Sequence, residues 1–167
     1  IEVKAGKDYA KILENRCVGC GSCLNICPVN AVSYRSSKKQ VLDLLKGDDP
    51  VAAICSPSIS GEFTDITDYR KFVQMIKALG FDYVCEVTFG VDMVAREYKK
   101  LFDDFKGKYF ITSMCPVIVS IIEKYHPELT QNLAPIISPI VATAKAVHRQ
   151  YGQNVKIVLI GPCIQSK

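Results

Sequence analysis

Cys17, Cys20, Cys23 and Cys27 fall close together, and Pro28 follows the last of them directly. The spacing C-x2-C-x2-C-x3-C-P is that of a chain holding a cubane iron–sulfur cluster, a 4Fe-4S centre. Cysteines three apart in a tight loop aim several thiolates at one cluster. Gly19 and Gly21 let the backbone come close, and Pro28 sets the direction of the exiting chain. A disulfide scaffold suits short extracellular chains, and a zinc site usually pairs two separated C-x-x-C hooks, so the spacing favours iron–sulfur over both. Cys27 has two readings. It closes this cluster, or it serves a second cluster completed by residues before Ile1, as the fourth cysteine does in two-cluster ferredoxins.

Composition narrows the rest. The chain has 167 residues, 49% of them hydrophobic, and a mean hydropathy of +0.13. That is enough for one core and a small accessory module. A net charge of +4 is mild and scattered, with no basic run interleaved with aromatics, so nucleic acid is not an expected partner. No apolar stretch has transmembrane length and no signal peptide is visible, so no membrane association is expected. Eight cysteines without a secretory signal point to a reducing compartment, the cytoplasm. The chain opens at Ile1 without methionine and stops four residues past Cys163, which reads as a fragment incomplete at its C-terminus.

Residues 1–46 read as a small ferredoxin-like α+β iron–sulfur domain, in which 32–34 and 41–43 pair as a hairpin. Gly47-Asp48-Asp49-Pro50 is a turn cluster and sets the boundary to a second domain, 47–167. There Val51–Cys55, 81–87, 109–112 and 155–160 read as strands. Residues 67–79, 91–105, Pro116–Tyr125 and Pro139–Tyr151 read as helices, Thr67 capping the first and Gly80 closing it. Alternating elements with continuously apolar strands predict an α/β fold, a mostly parallel sheet with helices on both faces. Such sheets place their sites beyond the carboxyl ends of strands. Cys55-Ser56-Pro57, Cys115-Pro116 and Pro162-Cys163 all fall there, where a buried ligand would sit.

These segments resemble the iron-only (FeFe) hydrogenases. Thr112-Ser113-Met114-Cys115-Pro116 is similar to the family's first signature, Thr-Ser-Cys-Cys-Pro. Gly161-Pro162-Cys163 is similar to the core of the second, Met-Pro-Cys-x-x-Lys. Cys55-Ser56-Pro57-Ser58 resembles the Ala-Pro-Ser segment lining the same cavity. The stretches 81–84 with Asp92, 125–129, 132–133 and 138–139 follow the family pattern too. The resemblance implies an H-cluster, a cubane joined to a two-iron subsite, held by four cysteines. Cys115 and Cys163 would supply two of its ligands. The other two belong to a third signature, Met-Ala-Cys-x-x-Gly-Cys, which is absent, so the cofactor is expected only if those ligands follow in the native protein. Ser56, Pro57, Ser58, Ser113, Met114, Pro162, Ser166 and Lys167 are the further cofactor-binding positions implied, Lys167 weakly because it falls one position late.

The departures from the family cluster along its proton path. Met114 stands where catalytic members carry a relay cysteine, and a thioether has no titratable proton. The later relay carboxylates fall near Tyr98 and Leu101, and the relay serine near Ala134. Around the cofactor, Ile140 replaces a glutamine, Gly161 a methionine and Ser166 a lysine. No catalytic residue is assigned. Loss of several such groups should change reactivity far more than fold. The resemblance therefore implies the sensory or regulatory branch: a hydrogenase-type oxidoreductase with an impaired relay. It would react slowly with H2 and protons and pass electrons to a redox partner or a downstream signalling domain. Two rival functions are a non-enzymatic iron–sulfur assembly factor on the same fold and a ferredoxin-type electron carrier.

Bland readings stand beside these. Cys85 reads as a small buried hydrophobe and Cys55 as a lining residue without a metal bond. Ser56 and Ser58 are either helix caps or donors to the cofactor. His126 and His148 read as surface or core residues, and Glu62, Asp65 and Asp68 as a solvated acidic turn.

Overall fold

Val51–Cys55 is buried along its whole length, and that single apolar run becomes the middle strand of a sheet. The structure is a computed structural model describing residues 2–3, 10–63, 65–66, 68–104, 106–107 and 110–166. Among them the strands are β1 (Glu2–Val3), β2 (Ala10–Lys11), β3 (Val51–Cys55), β4 (Tyr83–Glu86) and β5 (Lys156–Ile160). The α-helices are α1 (Ser22–Ile26), α2 (Lys38–Leu45), α3 (Tyr69–Ala78), α4 (Thr88–Asp104), α5 (Pro116–Tyr125) and α6 (Pro139–Tyr151). Two compact units interleave along the chain. The first comprises Ile1–Tyr34, Gly107–Pro135 and Cys163–Lys167, and the second Arg35–Lys106 and Ile136–Pro162.

The second unit is the α/β fold expected. Its sheet has the order β4-β3-β5, all parallel, with Ala53 opposite both Val84 and Val158. A central strand in a parallel sheet is covered on both faces, which is why β3 has no polar alternation. Val51, Ala53 and Cys55 face α2 and α3 through Val41, Leu44, Leu45, Phe72 and Ile76. Ala52 and Ile54 face α6 through Ile140, Ala144 and Val147. α4 packs on α6 with Gly90, Val94 and Tyr98, one turn apart, turned inward.

Three local expectations are corrected. Residues 41–43 belong to helix α2, not to a hairpin with 32–34. Val41, Leu44 and Leu45 recur at helical spacing and dock on the sheet, a burial no exposed two-stranded ribbon supplies. Residues 110–112 form no strand; Ile111 makes one isolated parallel bridge to Leu133, and both lie in the first unit. Tyr109, Phe105 and Thr67 lie outside the described residues. Asp68 caps α3, its carboxylate accepting from the Arg70 amide at 2.9 Å, so it is more than a solvated acid.

In the first unit β1 pairs antiparallel with β2. α5 begins with Pro116 at its first turn, where the missing N–H costs nothing. Its N-cap is Cys115.

Candidate metal centre

The four clustered cysteines are presented by a loop whose turns the glycines make possible. The Cys17 amide closes a turn onto Leu13 O at 2.8 Å. Gly19 (φ 68°) and Gly21 (φ 79°) both adopt the left-handed conformation that side chains resist. Gly21 is the N-cap of α1, which carries Cys23, and Cys27 is the C-cap. All four thiols are free, Cys17 and Cys20 exposed and Cys23 and Cys27 half-buried.

The loop also aims backbone donors at sulfur. The Gly19 amide donates to Cys17 Sγ at 3.4 Å and the Ala31 amide to Cys27 Sγ at 3.2 Å. Amide donation, from Ala31 first and then Val29, lowers the Cys27 thiol below its ordinary value. Cys20 is lowered as well, chiefly by the Ser22 hydroxyl 3.3 Å away. Iron is bound by thiolate, and hydrogen bonds to cluster sulfurs tune potential, so this donor set fits a cubane. Among the described residues no three His, Cys, Asp or Glu side chains converge as a single ion requires. A cubane asks instead for four thiolates spread around its irons.

The loop is held by the rest of its unit. Lys124 and Tyr125, in the last turn of α5, donate to backbone carbonyls of residues 14, 16 and 17. On another side, Gln165 Oε1 stands where a Cβ on Gly19 would fall, 1.6 Å from that point, and Ile164 Cδ1 lies 2.9 Å from the equivalent point on Gly21. Gln165 Nε2 donates to Ser120 Oγ of α5 at 3.3 Å. None of these contacts was visible in the cysteine spacing.

Cys115 and Cys163 belong to this same unit, and both are exposed. Cys115 does not follow a strand as expected; it opens α5, whose ten residues place it about 15 Å from the turn that holds the loop. Cys163 lies just before the segment packed on Gly19 and Gly21. The Ser166 hydroxyl donates to its sulfur and holds the thiol below its ordinary value, with backbone donation from Ser166 and Gln165 adding to it. These are the two cysteines that the family resemblance assigns to an H-cluster. Met114 is exposed and Ser113 half-buried, while Lys167 lies outside the described residues.

Ser56, Pro57, Ser58 and Pro162 fall in the second unit, at the carboxyl ends of β3 and β5. The Ser56 amide donates to Ile160 O at 2.9 Å, and the two serine hydroxyls lie 2.8 Å apart. Pro57 opens a short 3-10 helix. Ser56 and Pro57 line a cavity of about 410 Å³ with Cys55, Phe63, Tyr69 and Cys85, where strand ends usually place a ligand. Burial pushes the Cys55 thiol up to about 11, with Cys85 and Glu86 adding to it, and burial also raises Cys85. Neither suits a thiolate ligand. His126 pairs with Glu128 at 3.4 Å, and His148 Nε2 lies 3.0 Å from Val155 O.

The raised Cys55 value carries a pH prediction. Between about pH 9 and 11 the unfolded chain releases this proton while the folded chain keeps it, so stability falls as pH rises through that window. Urea midpoints across it should decline for the native chain and decline less for Cys55→Ala. Equal slopes would refute the assignment.

Sequence comparisons agree with this geometry. Residues 49–167 match the family described as iron only hydrogenase large subunit, C-terminal domain, and residues 10–33 match the 4Fe-4S binding domain. Iron hydrogenase 1 of Clostridium pasteurianum is 30% identical over 159 residues, 84% of this chain and 28% of that protein. The NADP-reducing hydrogenase subunit HndD of Solidesulfovibrio fructosivorans is 23% identical over 186 residues, 90% of this chain and 30% of that protein. The chain thus spans less than a third of either relative. Among the described residues no helix is long and apolar enough to cross a membrane.

Proposed function

The chain belongs to the iron-only hydrogenase large-subunit family and carries a 4Fe-4S domain at its N-terminal end, and from that premise we propose that it reacts with or senses H2. The reaction is H2 to two protons and two electrons at an H-cluster, with electrons passing through the Cys17–Cys27 cluster to a redox partner or signalling domain in the cytoplasm. When bound, the two-iron subsite supplies the hydride chemistry. Cys115 and Cys163 would hold its cubane, and Ser113, Met114, Pro162, Ser166 and Lys167 would surround it. The family resemblance also assigns Ser56, Pro57 and Ser58, at the carboxyl end of β3, to its binding.

The observation that carries this reading is the joining of the two cysteine sets in one unit. The segment from Cys163 onward packs on the loop of the N-terminal run, and α5, whose N-cap is Cys115, holds that loop from its other end. These contacts support a route for electrons between the two sets. Proton delivery is the weak link. Met114 offers no proton, Tyr98 and Ala134 are buried at 8% and 4% exposure, and Ile140 packs on the sheet. None is a carboxylate, so slow, sensory turnover follows.

Infrared spectroscopy after anaerobic maturation of the native reading frame tests the proposal. CO and cyanide stretching bands support it; their absence supports the assembly-factor reading. The relay argument has its own test. Met114→Cys should raise H2/D2 exchange by less than about tenfold, because the other relay positions remain blocked. A gain in the range of a hundredfold to ten-thousandfold, the usual worth of a positioned proton donor, would contradict it.

A further inference from the structure

The cysteine loop carries a fixed cation that its spacing does not announce. Lys124 Nζ donates to Glu14 O at 3.0 Å and to Cys17 O at 2.6 Å, so its ammonium is tied to the carbonyl of a ligand residue. Among the described residues no carboxylate pairs with it; the ion pairs lie at Lys100–Glu97, His126–Glu128 and Lys156–Asp49. Among the described residues no direct carboxylate partner therefore neutralises the charge beside the loop. Tyr125, the next residue, makes a neutral contact to the same loop, its hydroxyl donating to Arg16 O. One helix turn thus supplies two clamps, only one of them charged.

Reduction adds one electron to the oxidised cluster and makes it more negative. Net charge near a cluster is among the factors that set its potential, and a nearby cation favours the more negative form. We propose that Lys124 sets the reduction potential of the Cys17–Cys27 cluster, raising it through this anchored charge. The inference rests on the assignment of a 4Fe-4S cluster to that loop. Lys124 acts as a positioning and field residue; it binds no iron.

The test is a dithionite titration of the full chain, reconstituted anaerobically with iron and sulfide and followed by electron paramagnetic resonance. Lys124→Gln keeps a donor toward the two carbonyls and removes the charge. Its one-electron equilibrium should fall roughly tenfold, a midpoint lower by about 59 mV. Lys124→Met should fall equally, and it provides the measurement if Lys124→Gln takes up no cluster. Lys124→Arg keeps the charge and should match the native midpoint, as should Tyr125→Phe. Native midpoints in both uncharged variants would overturn the proposal. So would a Tyr125→Phe midpoint as low as theirs, since loop loosening would then explain the shift. A native chain that takes up no cluster, visible in its absorbance before any titration, sinks the cluster assignment and the proposal together.

Discussion

Gly90→Ala is expected to strip roughly 3 kcal/mol or more from the α/β unit, at the upper end of what overpacking a core costs. A Cβ at this position of α4 would lie 2.2 Å from Pro139 O, 2.3 Å from Thr143 Oγ1 and 3.0 Å from Thr143 N. Two of those three atoms are backbone, so relief requires α6 to move as a body. α6 cannot move cheaply. Thr143 is 1% exposed, and its hydroxyl lies 2.9 Å from Pro139 O and 3.4 Å from Val87 O. Val147 and Ile140 on the same helix pack on the sheet. Against a typical total of about 5–15 kcal/mol such a loss removes much of the folded population. Urea unfolding followed by circular dichroism should show the midpoint collapse. A loss under about 1 kcal/mol would mean the two helices do not approach this closely.

The second large effect is on metal loading. Cys20→Ser and Cys27→Ser should each lose nearly all of the visible absorbance acquired on reconstitution with iron and sulfide, because a cubane takes four thiolates. Equal loss is the informative part. Cys27 is the C-cap of α1, and its sulfur accepts from the Ala31 amide. This local hydrogen bonding resembles that at Cys17 and Cys20, so it is expected to close the same cluster. Retention of absorbance in Cys27→Ser alone would assign it to another centre. Neither change should alter unfolding of the α/β unit, whose core contains none of the four cysteines.

The sheet was legible in the sequence because burial on both faces removes alternation: Val51–Cys55 reads as a strand with no pattern needed. α5 and α6 were legible to the residue because Pro116 and Pro139 mark their starts. The segment 38–45 misled because a six-residue polar stretch, Arg35–Gln40, between short apolar pieces imitates a turn. Its helical face becomes evident only when Val41, Leu44 and Leu45 meet the sheet. Residues 110–112 have strand composition, yet among the described residues Ile111 pairs only with Leu133, since tertiary placement overrides β-propensity. At the candidate metal centre the proposed thiol donors were named from spacing alone. Ser22 and Ala31 were not, nor were Lys124 and Gln165, because supports of this kind carry no fixed spacing from the cysteines they serve.

The interleaving of the two units bears on how such a chain is made. Its path crosses between them after residues 34, 106, 135 and 162. The cysteine loop leaves the ribosome early, yet its clamps at Lys124 and Gln165 are synthesised more than a hundred residues later. Contacts of such long range form late and slowly. Iron delivered to the nascent chain before these residues emerge would meet unbraced thiols, so loading is best deferred until Gln165 has been made, and shortening the chain to its ferredoxin-like portion would discard both braces.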